Sequence, residues 1–262
     1  MWAYGRRERL LTSQLVCLGK TYITRPTGRS QGDDDLVVPG IAGEQRSLAS
    51  GVGLVFALVA PLVYALVVDP YLLSSGVGLN GRAVIGYVVM WSVSGAVLAL
   101  TVFGERRPLS TVGFRPLPLG LIGVAVGAGV FLSLLVPVLS LFVEAIAGVG
   151  PSDVMDTGRG TAVWILAVGV VTAGVTEEIL FRGYAIERLI ERTGRPWLSC
   201  LISLAVFVAI HLPNWSVAHV MGVVLPLGLA LTGLYLWKRN LPLVIVAHLL
   251  IDAPLIFLAL AA

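Results

Sequence analysis

Charge is scarce in this chain. Asp, Glu, Lys and Arg make up 13% of its 262 residues, against 57% hydrophobic residues, where a soluble globular domain carries roughly 25% charged residues. That shortage excludes a water-soluble fold of this length. Cysteine is nearly missing. Cys17 and Cys200 are the two present, and one pair so far apart makes neither a disulfide framework nor a metal-ligand spacing. Cys200, inside an apolar run, reads as a small apolar filler. Two hydrolytic signatures are absent from the sequence: HExxH and GxGD. Histidine occurs only three times, so the placement of each carries information.

Apolar length is what the chain does have. Runs fall at about 51–68, 83–103, 119–143, 161–181, 197–212, 218–237 and 241–261. A spanning helix takes about 20 apolar residues, and most of these runs qualify. The run at 197–212 is short, and 161–181 ends in charge. Only helices satisfy their backbone groups inside lipid without closing a barrel, and the 30 glycines suit close helix packing. The expected fold is an all-α polytopic transmembrane helix bundle of about seven spanning helices, integral to the cell membrane.

Residues 1–48 are polar and basic, with Arg6, Arg7, Arg9, Lys20, Arg25, Arg29 and Arg46 and one acidic run from Asp33 to Asp35. The segment is too long for the n-region of a signal peptide. It reads as a poorly ordered cytoplasmic tail, with a short surface helix near 8–19, ahead of a transmembrane domain at 49–262. Basic residues then alternate between connections. They gather in the tail, at 104–118, at 182–196 (Arg182, Arg188, Arg192, Arg195) and at Lys238–Arg239. The opposite connections hold Arg82, and then Arg159 beside Glu144, Asp153 and Asp156. The positive-inside rule therefore predicts a cytoplasmic N-terminus. Loop placement also accounts for the net charge of +3. No Lys/Arg face interleaves with aromatics, so nucleic acid is not an expected partner.

Ionisable groups inside spanning segments cost about 2.5–3.5 kcal/mol each on insertion scales and point to function by default. Three clusters stand out. The first is Glu177-Glu178-Ile179-Leu180-Phe181-Arg182. Adjacent helix residues point in different directions, and Glu178 is four residues before Arg182, the favourable order for an ion pair. Glu177 is then left unpaired, free to face a cavity as a general base; the competing reading is a charge cluster at the membrane boundary. The second cluster places Phe207 and His211 on one helix face, where a lone histidine is more often structural. The third places His248 and Asp252 four apart in the last run, able to hydrogen bond, to chelate an ion or to face a shared cavity. His219, at the start of the sixth run, reads as interfacial.

If helices four and five meet at Thr193–Pro196, Glu177 lies 18 residues before Arg195 and His211 lies 16 after it. At about 1.5 Å per residue the two sit at nearly one height. The last run starts at the same end, so His248 and Asp252 reach the same place, a hydrated pocket beneath the inner leaflet. Helix four is expected to continue as an amphipathic segment through about Ile190.

The three clusters together resemble the CAAX-protease-like (CPBP, or Abi) intramembrane protease family, which includes the prenyl-protein CAAX endopeptidases. Its pattern of EExxxR, FxxxH and HxxxN or HxxxD reads here as EEILFR at 177–182, FVAIH at 207–211 and HLLID at 248–252. The resemblance covers roughly residues 80–262. It implies an endopeptidase acting on a membrane-associated peptide or protein substrate, with Glu177 activating a water and His211 sharing that task. His248 and Asp252 would bind or stabilise the oxyanion, and Glu178, Arg182 and Phe207 would support the site. Asp252 departs from the asparagine of the prenyl proteases. Ionised, it accepts hydrogen bonds but donates none; it could instead orient His248, hold a proton or ligate a metal. Two histidines with carboxylates would also suit a divalent ion such as Zn2+, which the sequence leaves open. Two other readings are a non-enzymatic membrane binding protein, such as a bacteriocin self-immunity factor, and a proton-coupled transporter. The second lacks the internal repeat expected of it.

Overall fold

The computed structural model describes residues 39–148 and 161–261. Most of the expected tail, with its surface helix near 8–19 and Cys17, lies outside the described residues, as do Asp153, Asp156 and Arg159. Seven helical rods follow in order: α1 (39–74), α2 (Leu79–Gly104), α3 (Leu119–Ala147), α4 (Val163–Thr193), α5 (Pro196–His211), α6 (Val217–Lys238) and α7 (Leu241–Ala261). A short 3₁₀ turn, Leu109–Val112, lies between α2 and α3.

Each apolar run becomes one rod, as its length requires. Five are long and apolar enough to cross a membrane, while α5 and the apolar part of α7 are shorter. The protein is thus a multi-pass membrane protein. Large apolar side chains such as Leu66, Val88, Phe131, Leu134 and Phe142 point outward from α1, α2 and α3, the surface that hydrocarbon covers. Among the described residues α1 already includes Pro39 to Leu48, ahead of the apolar run. Residues 39–48 mix Ile41, Ala42 and Leu48 with Glu44, Gln45 and Arg46, polar residues that favour helix but that a hydropathy reading passes over.

Helix α4 is the central rod. Every residue from Glu178 to Ile186 is buried, with α1, α2, α5 and α7 packed around it. It ends at Gly194, whose φ of +64° closes the helix in a left-handed cap, and Pro196 opens α5 at its first turn. The expected hairpin is therefore present. Helix α7 lies along α3 as well as α4. A side chain at Gly129 would put its Cβ 2.8 Å from Leu250 Cβ and 3.0 Å from the Ala247 carbonyl, and one at Gly222 would meet Ser140 Cα at 2.8 Å. Glycine at these crossings lets α3 approach α7 and α6 closely. Cys200 packs against the apolar cluster of Ile186, Tyr235 and Leu241, as its setting suggests.

Three charge assignments change. Arg182 and Arg188 are not loop residues. Helix α4 runs on to Thr193, past the expected Ile190, and carries both inward at 1% and 0% exposure. Arg188 Nη2 meets Glu105 Oε2 at 2.5 Å, its Nε donates to Oε1 at 3.1 Å, and the Tyr184 hydroxyl donates to Glu105 Oε1 at 2.6 Å. Arg182 and Arg188 therefore drop out of the loop-charge count, because acidic partners neutralise them inside the bundle. Glu144 is likewise not a loop residue. It is buried on α3, where Ser140 Oγ donates to its carboxylate at 2.9 Å.

Candidate functional site

From Ala173 to Ile186, α4 widens to π-helical geometry. Backbone bonds there run from i to i+5, a form that is usually a single turn and is frequent at functional sites. Glu177 and Glu178 diverge on this segment. Glu178 is fully buried, and its Oε1 accepts from Arg182 Nη1 at 2.9 Å and pairs with His248 Nδ1 at 2.8 Å. Arg182 also lies over the Phe207 ring at 4.2 Å and reaches the Gly228 carbonyl at 3.4 Å. The ion pair expected from the i, i+4 spacing is present and has a third member, His248.

Phe207 joins α5 to this network. Its ring packs edge-on against Phe181 with centroids 5.5 Å apart, and tilted against His211 at 4.9 Å. Ser203 Oγ donates to the Phe181 carbonyl at 2.8 Å and sets the register of α5 on α4. His211 Nδ1 is 2.7 Å from the Phe207 carbonyl. A carbonyl only accepts, so Nδ1 carries the proton and Nε2 of the neutral ring keeps a lone pair. On α7, His248 is held at both ring nitrogens. Glu178 is at Nδ1, and Asp252 Oδ2 lies 3.4 Å from Nε2. Asp252 thus sits where it orients His248, one of the options its chemistry left open.

Glu177 is half-buried and lines a cavity of about 400 Å³ between α1, α2, α4 and the 212–216 turn. The ionisable side chains around it are those of His211, His248, Arg182 and Asp252. The structure therefore gathers the four expected residues around one locus. The cavity's position differs from expectation. Its walls include Asp69, Leu79, Arg82, Asn214 and Trp215, which lie toward the α1–α2 and α5–α6 turns. That end is opposite the basic connections. Because α4 extends eleven residues beyond Arg182, Glu177 falls at mid-length of the rod and not near its basic end.

Several wall residues carried no signal in the sequence. Tyr64, Asp69 and Arg82 come from α1 and α2, far from the motifs in sequence, and Asn214 and Trp215 come from a turn. His219 is not interfacial. It is buried, with its ring stacked on Trp215 at 4.2 Å and 13°. An aromatic four residues before a histidine was the available clue, since that spacing puts both on one side of a helical turn.

A divalent ion fits this arrangement poorly. His248 has a carboxylate at each ring nitrogen, which leaves it no free lone pair for an ion, while His211 keeps its Nε2 lone pair. Among the described residues no group of three or more His, Cys, Asp or Glu is placed to hold a metal.

A family model described as type II CAAX prenyl endopeptidase Rce1-like matches residues 159–254. The match is narrower than the resemblance at 80–262, yet it spans α4 through most of α7 and contains every motif residue. No curated protein and no solved structure matches the chain. The segment 159–254, which supplies Glu177, His211, His248 and Asp252, is thus similar to the Rce1-like type II CAAX prenyl endopeptidases.

Proposed function

We propose that this protein is an intramembrane endopeptidase of the cell membrane that cleaves a peptide bond with a water activated by Glu177. The observation that carries the reading is the division of labour between two adjacent carboxylates. Glu178 is consumed by Arg182 and His248, while Glu177 faces the cavity. An ionisable group left facing a cavity at mid-membrane has no structural task that would repay its desolvation.

In this reading the water sits between the Glu177 carboxylate and the lone pair on His211 Nε2. Glu177 takes one proton as the water oxygen bonds to the scissile carbonyl carbon. The carbonyl oxygen becomes an oxyanion beside the positive charges of the His248 and Arg182 network. The C–N bond then breaks, and the proton held by Glu177 passes to the departing amine. The products are a new carboxylate and a free amine, with water consumed. Asp252 and Glu178 hold His248 in one orientation throughout. No step of this reading runs through a metal.

The test is cleavage by the full chain in lipid nanodiscs, read by mass spectrometry against a library of membrane-associated peptides. Glu177→Gln keeps the shape and removes the base. The expected result is loss of cleavage with unchanged helix content and melting temperature. Wild-type rates in Glu177→Gln protein would falsify the assignment, and wild-type complementation by the same variant would favour a binding role.

A further inference from the structure

The cavity that holds Glu177 has a cation at its other end, and that cation is under-used. Arg188 spends its guanidinium on both oxygens of Glu105, and Arg182 is shared between Glu178, the Gly228 carbonyl and the Phe207 ring. Among the described residues Arg82 makes a single side-chain ion pair, Nη1 to Asp69 Oδ2 at 3.2 Å, longer than the 2.7–2.9 Å of a strong charge-assisted bond. Its buried Nε has no hydrogen-bond partner. The side chain is 14% exposed and lines the cavity. A guanidinium has five donors in a fork shaped for carboxylates, so most of this one's capacity is unspent.

Three other polar groups of the wall are committed to the fold. Tyr64 donates to the Arg82 carbonyl at 2.8 Å, Tyr87 donates to the Ile165 carbonyl at 3.1 Å, and Thr172 Oγ1 accepts from Trp91 at 3.0 Å. These bonds fix the wall and leave Arg82 as its available charge. Asp69, itself buried, meets the guanidinium through one oxygen.

The register of α2 on α4 sets the distance. Trp91 meets Thr172, and Ser94 Oγ reaches the Thr176 carbonyl at 3.5 Å. Glu177 therefore lies level with about residue 94, twelve residues along α2 from Arg82. At about 1.5 Å per residue this is about 18 Å, and the length of the arginine side chain shortens the gap. Extended peptide covers about 3.3 Å per residue, so the interval holds roughly three to five residues.

We propose that Arg82 is a docking group for a carboxylate on the substrate, held about three to five residues from the bond cut at Glu177. The proposal rests on the hydrolase reading and adds a specificity-determining residue to it, on a helix outside the family-matched segment. A chain terminus and an acidic side chain offer the same chemistry, and the experiment separates them.

The probe is a synthetic peptide that the wild-type chain cleaves, made as the free acid, as the C-terminal amide, and with each Asp or Glu beyond the cut replaced by Asn or Gln. The wild type should lose about tenfold in kcat/KM when the one carboxylate that matters is neutralised, through KM, as expected for one charge-assisted contact. Loss on amidation names the terminus, and loss on side-chain neutralisation names the acidic residue. Arg82→Gln should raise KM about tenfold for the carboxylate peptide only, and Arg82→Lys should recover part of it. Asp69→Asn removes the competing carboxylate and should lower KM for that peptide, which keeps the test alive if Arg82→Gln fails to fold. Equal cleavage of all peptides by the wild type overturns the proposal and leaves the hydrolase reading intact. So does an equal loss on every peptide in Arg82→Gln, which is what a lipid-phosphate anchor would give. No cleavage of any peptide by the wild type overturns the hydrolase reading itself.

Discussion

Two neighbouring glutamates on one helix should fail in opposite ways when each is cut to alanine. Glu178 is fully buried and its Oε1 serves two partners, Arg182 at 2.9 Å and His248 at 2.8 Å. Glu178→Ala leaves the Arg182 guanidinium at 1% exposure with the Gly228 carbonyl and the Phe207 face as its remaining contacts. Breaking a buried pair from one side typically destabilises by about 3–5 kcal/mol, because the orphaned charge stays desolvated. Glu177→Ala removes a half-buried carboxylate that has no hydrogen-bond or ion-pair partner among the described residues, so it should cost no stability and should relieve the desolvation of that group. The assay is reversible unfolding of the full chain in bicelles, followed by tryptophan fluorescence, with activity measured on the same samples. The expected pattern is an inactive but stable Glu177→Ala protein and a markedly destabilised Glu178→Ala protein. Equal unfolding free energies for the two variants would refute the division of roles.

Other consequences follow from the same contacts. Arg188→Ala should cost about 3–5 kcal/mol in that unfolding assay, whereas replacing Arg188 and Glu105 together by apolar residues should recover much of the loss; additive losses would contradict the buried pairing at 2.5 Å. Gly129→Ala places a Cβ against Leu250 Cβ and the Ala247 carbonyl. It should destabilise by about 1–3 kcal/mol through overpacking and slow cleavage, since Ala247 adjoins His248; an unshifted melting temperature would contradict that close crossing. Phe207→Leu keeps apolar volume but removes the ring between Arg182 and His211. Cleavage should fall more than stability does, and the ratio of the two losses is the readout.

Much of this architecture is legible in sequence because lipid enforces simple rules. Apolar runs of sufficient length become helices, so all seven rods sit where hydropathy puts them. The Glu178–Arg182 pair follows from i, i+4 geometry, and the turn at 193–196 from Gly194 and Pro196. The misreadings share one physical cause, which is that pairing across the bundle is invisible along the chain. Arg188 looks like a loop cation until Glu105, 83 residues away, is brought against it. His219 looks interfacial until the turn stacks it on Trp215. The far wall of the cavity, from Tyr64 to Arg82, has no motif because its side chains are defined by which helix they face. The cavity also lies further from the basic end than expected, because α4 carries its buried charges beyond Arg182.

The central claim concerns the fate of one water molecule. In a single turnover by the wild-type chain in heavy-oxygen water, activation by Glu177 predicts that the heavy atom appears in the new carboxylate of the peptide product. Label recovered in the Glu177 side chain, with unlabelled product, would show direct attack by the carboxylate and contradict the account.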